Sequence, residues 1–280
     1  MADSLRRDYP IGTILEKLGL PRSTYYRHAG GKSARVDRWA DVRPLLHEAF
    51  SRTANGMGYR QIAMVLRAEQ GLAISGKTVL KLMREEGLCC TIRAKRYNSH
   101  RGEVGKVAAN LLNREFEAER PMEKLVTDVT EFKAAGAKAY LSPVMDLYNN
   151  EIVAWSISRS PNFAQTMEMM DALGPKLEGR ALLHSDQGWQ YQQLAYQKKL
   201  EELGITQSMS RKATCLDNAC MEGFFGHLKD EFYRGREFDS FESFRQQLEE
   251  YIEYWNSGRY QVGLKGMTPV QYRGHSIRAA

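Results

Sequence analysis

The chain has 280 residues, 42% of them hydrophobic and 26% charged, which suits one enzymatic core with one or two smaller modules. No apolar run nears the ~20 residues of a membrane span, and Asp8 and Pro10 interrupt the start before a secretory core develops, so a soluble, cytoplasmic protein is expected. The net charge of +6 is uneven: residues 1–120 carry 22 Lys+Arg against 13 Asp+Glu (+9) and residues 121–280 carry 18 against 21 (−3), which assigns polyanion contact to the N-terminal part.

Ile11, Ile14, Leu15 and Leu18 share one helical face before Gly19 and Pro21 break it, and a second helix is expected from Ser23, read as its N-cap. This pattern predicts a helix-turn-helix over residues 1–36, with Thr24, Tyr25, Arg27 and His28 turned toward DNA. A second such module is expected over 37–97, where Tyr59 to Gln70 buries Ile62, Val65 and Leu66 and a further helix follows the Ser75 cap. Lys77, Lys81 and Arg84 lie on that helix's exposed face, and Arg93, Lys95 and Arg96 follow in a basic segment; all are candidate phosphate contacts. Residues 98–120 lack strong periodicity and read as a linker that orders on DNA. Cys89, Cys90, Cys215 and Cys220 lack zinc-site spacing and read as reduced and structural.

From Leu125 the texture becomes β-rich. Strands are expected at Leu125–Lys133, Ala139–Leu147 and Glu151–Ser158, forming an antiparallel meander. A helix from Phe163 to Leu173, a strand at Ala181–His184, a helix from Leu194 to Leu203, a strand at Ile205–Met209 and a helix from Asp217 to Phe232 complete an α/β fold with a mixed five-stranded sheet. The core is bounded at 121–235, with a helical extension over 236–280 whose Phe241, Phe244, Leu248, Ile252 and Trp255 form a packing stripe.

Asp128 lies among the apolar residues of the first strand, where a carboxylate is costly unless paired or bound to a cation. Asp186 ends the fourth strand, where α/β proteins assemble sites, so the two aspartates can meet at neighbouring strand ends. Glu222 follows Asp186 after 35 intervening residues. Glu131 points to the opposite strand face from Asp128, and Asp217 reads as a helix cap.

The blocks Thr127-Asp-Val-Thr-Glu-Phe132, His184-Ser-Asp-Gln-Gly188 and Leu216-Asp-Asn-Ala-Cys-Met-Glu-Gly-Phe-Phe225 resemble the integrase-type DDE transposases, in particular the OrfB subunit of insertion-sequence family three. The likeness extends to Gly58-Tyr-Arg60 and to Tyr254-Trp-Asn256, Arg259 and Thr268-Pro269. Leu125 departs from a frequent tryptophan, Gly223 from a frequent serine, and Tyr260-Gln261 from a usual basic-histidine pair. The resemblance implies a ribonuclease H-like core in which Asp128, Asp186 and Glu222 hold divalent metal. Three carboxylates suit two Mg2+ ions, with Mn2+ a substitute, for DNA-end cleavage and strand transfer.

Lys229, two helical turns after Glu222, and Asn218, one turn before it, share its face as candidate DNA contacts, and His184 is a possible contributor on the strand of Asp186. Double-stranded DNA, carrying the element's terminal repeats or the target, is the expected partner. Pairing two ends implies at least a dimer, and the resemblance adds an upstream-frame OrfA partner or fusion and a bacterial, nucleoid-associated location. The alternatives are a catalytically silent DNA-binding regulator and a ribonuclease H-type nuclease.

Overall fold

A computed structural model describes residues 9–29, 37–91, 108–177, 179–211 and 215–279, divided between two compact units, Met1–Pro44 and Leu45–Ala280. The first unit holds α1 (Ile11–Lys17) and α2 (Arg22–Ala29). Between them Gly19 takes φ 62°, a left-handed conformation natural to glycine, and Leu20 N–H closes onto the Leu15 carbonyl at 2.9 Å. α2 begins at Arg22 and not after a Ser23 cap. The Pro21 carbonyl accepts the Thr24 and Tyr25 N–H groups, and proline has no N–H to leave unpaired at a helix start. Tyr25 is buried, as are Ile14 and Leu15, so it packs inward and does not face DNA as the sequence reading had it. The side chains of Arg27 and His28 lie outside the described residues.

The next three helices are α3 (Val42–Ser51), α4 (Tyr59–Gln70) and α5 (Gly76–Glu85). α4 and α5 follow the sequence reading; α3 is an addition to it. Ser75 caps α5 by accepting Thr78 N–H at 3.1 Å, and Leu46, Ile62, Leu66, Val79 and Leu82 are buried. From Leu45 on, this helical module shares the second unit with the sheet. Arg93, Lys95 and Arg96 lie outside the described residues.

The sheet and its helices follow as β1 (Lys124–Thr127), β2 (Thr130–Ala134), β3 (Ala137–Asp146), β4 (Glu151–Ser158), α6 (Phe163–Leu173), β5 (Ala181–Ser185), α7 (Leu194–Glu202), β6 (Ile205–Met209), α8 (Ala219–Leu228), α9 (Phe241–Glu253) and α10 (Pro269–Ala279). β4 pairs with one edge of β3, while β1 and β2 both pair antiparallel with the other. The partners Leu125–Asp146 and Thr127–Val144 continue without a slip into Thr130–Leu141 and Phe132–Ala139. The predicted strand Leu125–Lys133 is therefore one strand broken at Asp128 and Val129. Pro143 lies opposite the break in this register, and a proline has no N–H for the ladder. β5 pairs parallel with β1, and β6 parallel with β5, so the five-position sheet is mixed as expected.

Neighbouring residues of one strand face opposite layers. Val126 joins a core with Met221, Phe224, Leu228, Phe244, Leu248 and Ile252 from the C-terminal helices, whereas Leu125 joins Met169, Leu173, Tyr196 and Leu200 on the other face. The stripe on α9 is thus part of the main core, and Ser240 caps the helix by accepting Ser243 N–H at 3.0 Å. α8 is shorter than predicted and passes into a wider π-type turn, Lys229–Tyr233. The stretch from Ala108 is no free linker. Leu111 and Leu112 N–H donate to Ser208 Oγ at 2.9 and 3.2 Å, and Leu112 is buried.

Candidate active site

Parallel pairing fixes the first relation in the site. Lys124 faces Leu182 and Val126 faces His184, and the same register continued two residues sets Asp128 beside Asp186, at the ends of adjacent strands. The break that ends β1 releases Asp128 from the ladder, and its Oδ1 accepts Val129 N–H at 2.7 Å. Asp186 Oδ1 accepts Gly188 N–H at 2.8 Å. A Cβ at Gly188 would stand 2.9 Å from that same oxygen and 2.6 Å from Gln190 Nε2, so glycine keeps this turn closed around the carboxylate.

Glu222 arrives on α8, whose N-terminus is tied to the same place. Asn218 Nδ2 donates to the Thr127 carbonyl at 3.2 Å, one residue before Asp128. Asn218 is buried and so is not the surface DNA contact expected of it; its side chain joins the helix of Glu222 to the strand. Asp217 is not a helix cap either. It is wholly buried, and its carboxylate accepts from Arg114 Nε at 2.8 Å, Asn110 Nδ2 at 2.9 Å and Arg211 Nε at 3.3 Å. α8 starts two residues later, at Ala219.

Electrostatics group the three acids. Burial and then the charge of Asp186 raise the Asp128 carboxyl to about 7, with Glu222 adding to the rise, while the Val129 N–H and Lys229 pull the other way. Burial raises the carboxyls of Asp186 and Glu222 as well, although both residues keep a solvent-open surface. Lys229 is half-buried with Nζ 5.7 Å from the Phe132 ring centroid; burial lowers its pKa, opposed by the charges of Asp128 and Glu131. Among the described residues, no three His, Cys, Asp or Glu side chains converge closely enough to form a ready-made metal clasp. The donor set still fits a divalent cation: hard oxygens on three separate elements, with mutual repulsion that a positive ion relieves.

His184 has both ring nitrogens engaged and no exposed surface. Ser208 Oγ accepts two backbone N–H groups, so its hydroxyl hydrogen goes to His184 Nδ1 at 2.8 Å and the ring's own proton sits on Nε2, donating to Ser210 Oγ at 3.0 Å. Burial lowers its pKa to about 4, against the opposing charge of Asp217, so the ring stays neutral and structural. Glu131 is exposed and accepts from Lys138 and the Tyr140 hydroxyl. Lys77, Lys81 and Arg84 are exposed along α5 around one open groove with Leu80 and Glu85. Sequence reasoning missed Arg114, Arg211 and Asn110, whose only signal was the need of a buried Asp217 for donors.

The integrase core domain family matches residues 118–215 and 222–277, and an HTH-like domain family matches residues 39–96. The chain is 45% identical over 276 residues to the putative transposase InsK of element IS150 from Escherichia coli K12, covering 98% of this chain and 97% of that protein. It is 32% identical over 237 residues to the transposase InsF of IS3A from the same organism, covering 82% and 81%. Among solved structures, a chain of the simian T-cell lymphotropic virus intasome aligns over 76% of this chain and 70% of its own, with TM-score 0.48 and 15% identity. The protein belongs to the insertion-sequence transposases with an integrase core, of the IS3 type represented by InsK and InsF.

Proposed function

We propose that this transposase is a polynucleotidyl transferase whose catalytic residues are Asp128, Asp186 and Glu222. The observation that carries the reading is the strand register that sets Asp128 beside Asp186, with the helix of Glu222 bonded to the residue before Asp128. The three carboxylates would hold two Mg2+ ions, or Mn2+ in their place, and those ions would supply Lewis acidity to the phosphodiester chemistry. In the first step water attacks a phosphodiester at an element end, the P–O3′ bond breaks, and a 3′-hydroxyl is freed. In the second, that hydroxyl attacks a target phosphodiester and displaces another 3′ oxygen, conserving the number of phosphodiester bonds. Lys229, beside Asp128 in charge and in space, holds the scissile phosphate, and Lys77, Lys81 and Arg84 grip flanking DNA backbone.

On this reading the protein acts in the bacterial cytoplasm on double-stranded DNA, as at least a dimer that pairs two ends, together with an upstream-frame OrfA product. The test incubates purified protein with labelled end DNA and Mg2+ or Mn2+, comparing wild type with Glu222→Gln. Metal-dependent nicking or joining that vanishes in the variant, with DNA binding retained, supports the assignment. Binding without cleavage in both proteins points to the missing OrfA partner, and if it persists with that partner added, to the silent regulator; cleavage that survives in Glu222→Gln removes Glu222 from the site.

A further inference from the structure

Apart from the acidic site, the second unit buries an ion pair at the far end of the catalytic helix. The Arg259 guanidinium meets Glu231 at 2.7 and 2.9 Å, with side chains only 8% and 3% exposed, and stacks 4.7 Å from the Trp255 ring centroid. Tyr251 Oη donates to Glu231 at 2.9 Å, and His227 Nδ1 lies 3.1 Å from Arg259 Nη2. A buried pair of this kind adds little net stability over an apolar one, because desolvation offsets the attraction, but it tolerates one geometry only.

The helical module reaches the same place. With its amide oxygen turned toward the guanidinium, Gln61 of α4 accepts from Arg259 Nη2 at 3.1 Å and Nε at 3.2 Å. Asn55, just before α4, donates to the carbonyls of Asp230 and Arg234, at 3.3 Å in the second case. Glu231 lies two residues beyond Lys229, within the π-type turn Lys229–Tyr233 that continues the helix of Glu222. The module and the catalytic helix therefore share one charged anchor.

We propose that Arg259 is a positioning residue for strand cleavage, joining Gln61 of the module to Glu231 so that seating the module on DNA fixes where Glu222 and Lys229 stand. The inference rests on the transferase reading above. Its test uses the full chain and three variants: Gln61→Ala, Gln61→Met, which keeps the length of the side chain without its oxygen, and Glu249→Ala in an exposed pair with Arg245 as control. Three quantities are read: amide hydrogen exchange over residues 219–233, the Mg2+-dependent nicking rate at saturating end DNA, and DNA affinity.

Gln61→Ala is expected to speed exchange in that segment and slow nicking by about tenfold, the loss of one hydrogen bond to a charged group. Affinity stays within about twofold by the same argument, since no phosphate contact is removed. Gln61→Met, which lacks the same acceptor but fills the same space, changes rate and exchange in the same direction, and the control changes neither. Unchanged exchange, exchange that quickens with no change in rate, or affinity falling in step with the rate would each overturn the proposal. A wild-type protein that does not nick even with the upstream-frame OrfA product added refutes the transferase reading by itself, and the exchange comparison still decides whether the module and the helix are coupled.

Discussion

Replacing Glu231 with Gln leaves the buried guanidinium of Arg259 facing a neutral amide. Burial pushes the Glu231 carboxyl up, but hydrogen bonds from His227 and Arg259, with their charges, overcome that and hold it at about 2 instead of 4.5. At ~1.4 kcal/mol per pH unit, the difference corresponds to about 3 kcal/mol of folding stability. Independent reasoning agrees, because breaking a buried pair by removing one partner costs about 3–5 kcal/mol. Since the folded-state pKa lies below the unfolded one, the contribution is complete above about 4.5 and is lost as pH falls toward about 2. Urea unfolding followed by tryptophan fluorescence should therefore show wild type more stable than Glu231→Gln by about 3 kcal/mol at neutral pH, with the gap closing in acid. A gap under about 1 kcal/mol at neutral pH, or one that stays constant down to strong acid, would refute the reasoning.

Gly188→Ala forces a Cβ to within 2.9 Å of Asp186 Oδ1, so nicking should fall at least about tenfold while thermal unfolding shifts by only a few degrees; a fully active variant would show that the turn does not position Asp186. Asn218→Ala leaves the Thr127 carbonyl without its donor, which costs about 1–3 kcal/mol in chemical denaturation and slows nicking, and an unchanged midpoint would count against the tie between α8 and β1. Asp217→Asn removes the charge that Arg114 and Arg211 share, and because both arginines are about half exposed it should lower stability by only about 1 kcal/mol, measured the same way. His184, with its pKa lowered to about 4, gives a pH profile of its own. The unfolded ring gains a proton near 6.5 and the folded ring only near 4, so His184 costs stability increasingly as pH falls from 6.5 toward 4, and an NMR titration should place its midpoint at about 4 instead of 6.5.

The elements that build the sheet were legible because their periodicities are strong. The helix Phe163–Leu173 and the strand Ile205–Met209 have the predicted bounds. What pattern could not reveal was long-range. The break at Asp128 depends on Pro143 across the ladder, a partner that single-strand alternation does not see. Asn218 and Lys229 share a helical side with Glu222, yet the neighbouring strand buries Asn218 and leaves Lys229 half-open. Helical phase gives direction, and only packing decides which direction is water. Asp217 misled for a related reason: an acid before a helix usually caps it, but here Asn110 and Arg114 from a distant segment, with the nearby Arg211, claim the carboxylate.

The pairing of β1 with β5 also governs how this enzyme can vary in length. Asp128 and Asp186 are aligned by a backbone ladder, so the connection after α6, which runs through Gly174, Pro175 and Lys176 to Arg180, can lengthen or shorten without changing the step from one aspartate to the other. A single-residue deletion inside Lys124–Thr127 would instead turn every following side chain of that strand to the wrong layer. The two segments therefore call for opposite treatment in protein engineering: inserted domains, tags or split points belong in the first, and the second is fixed in length to the residue.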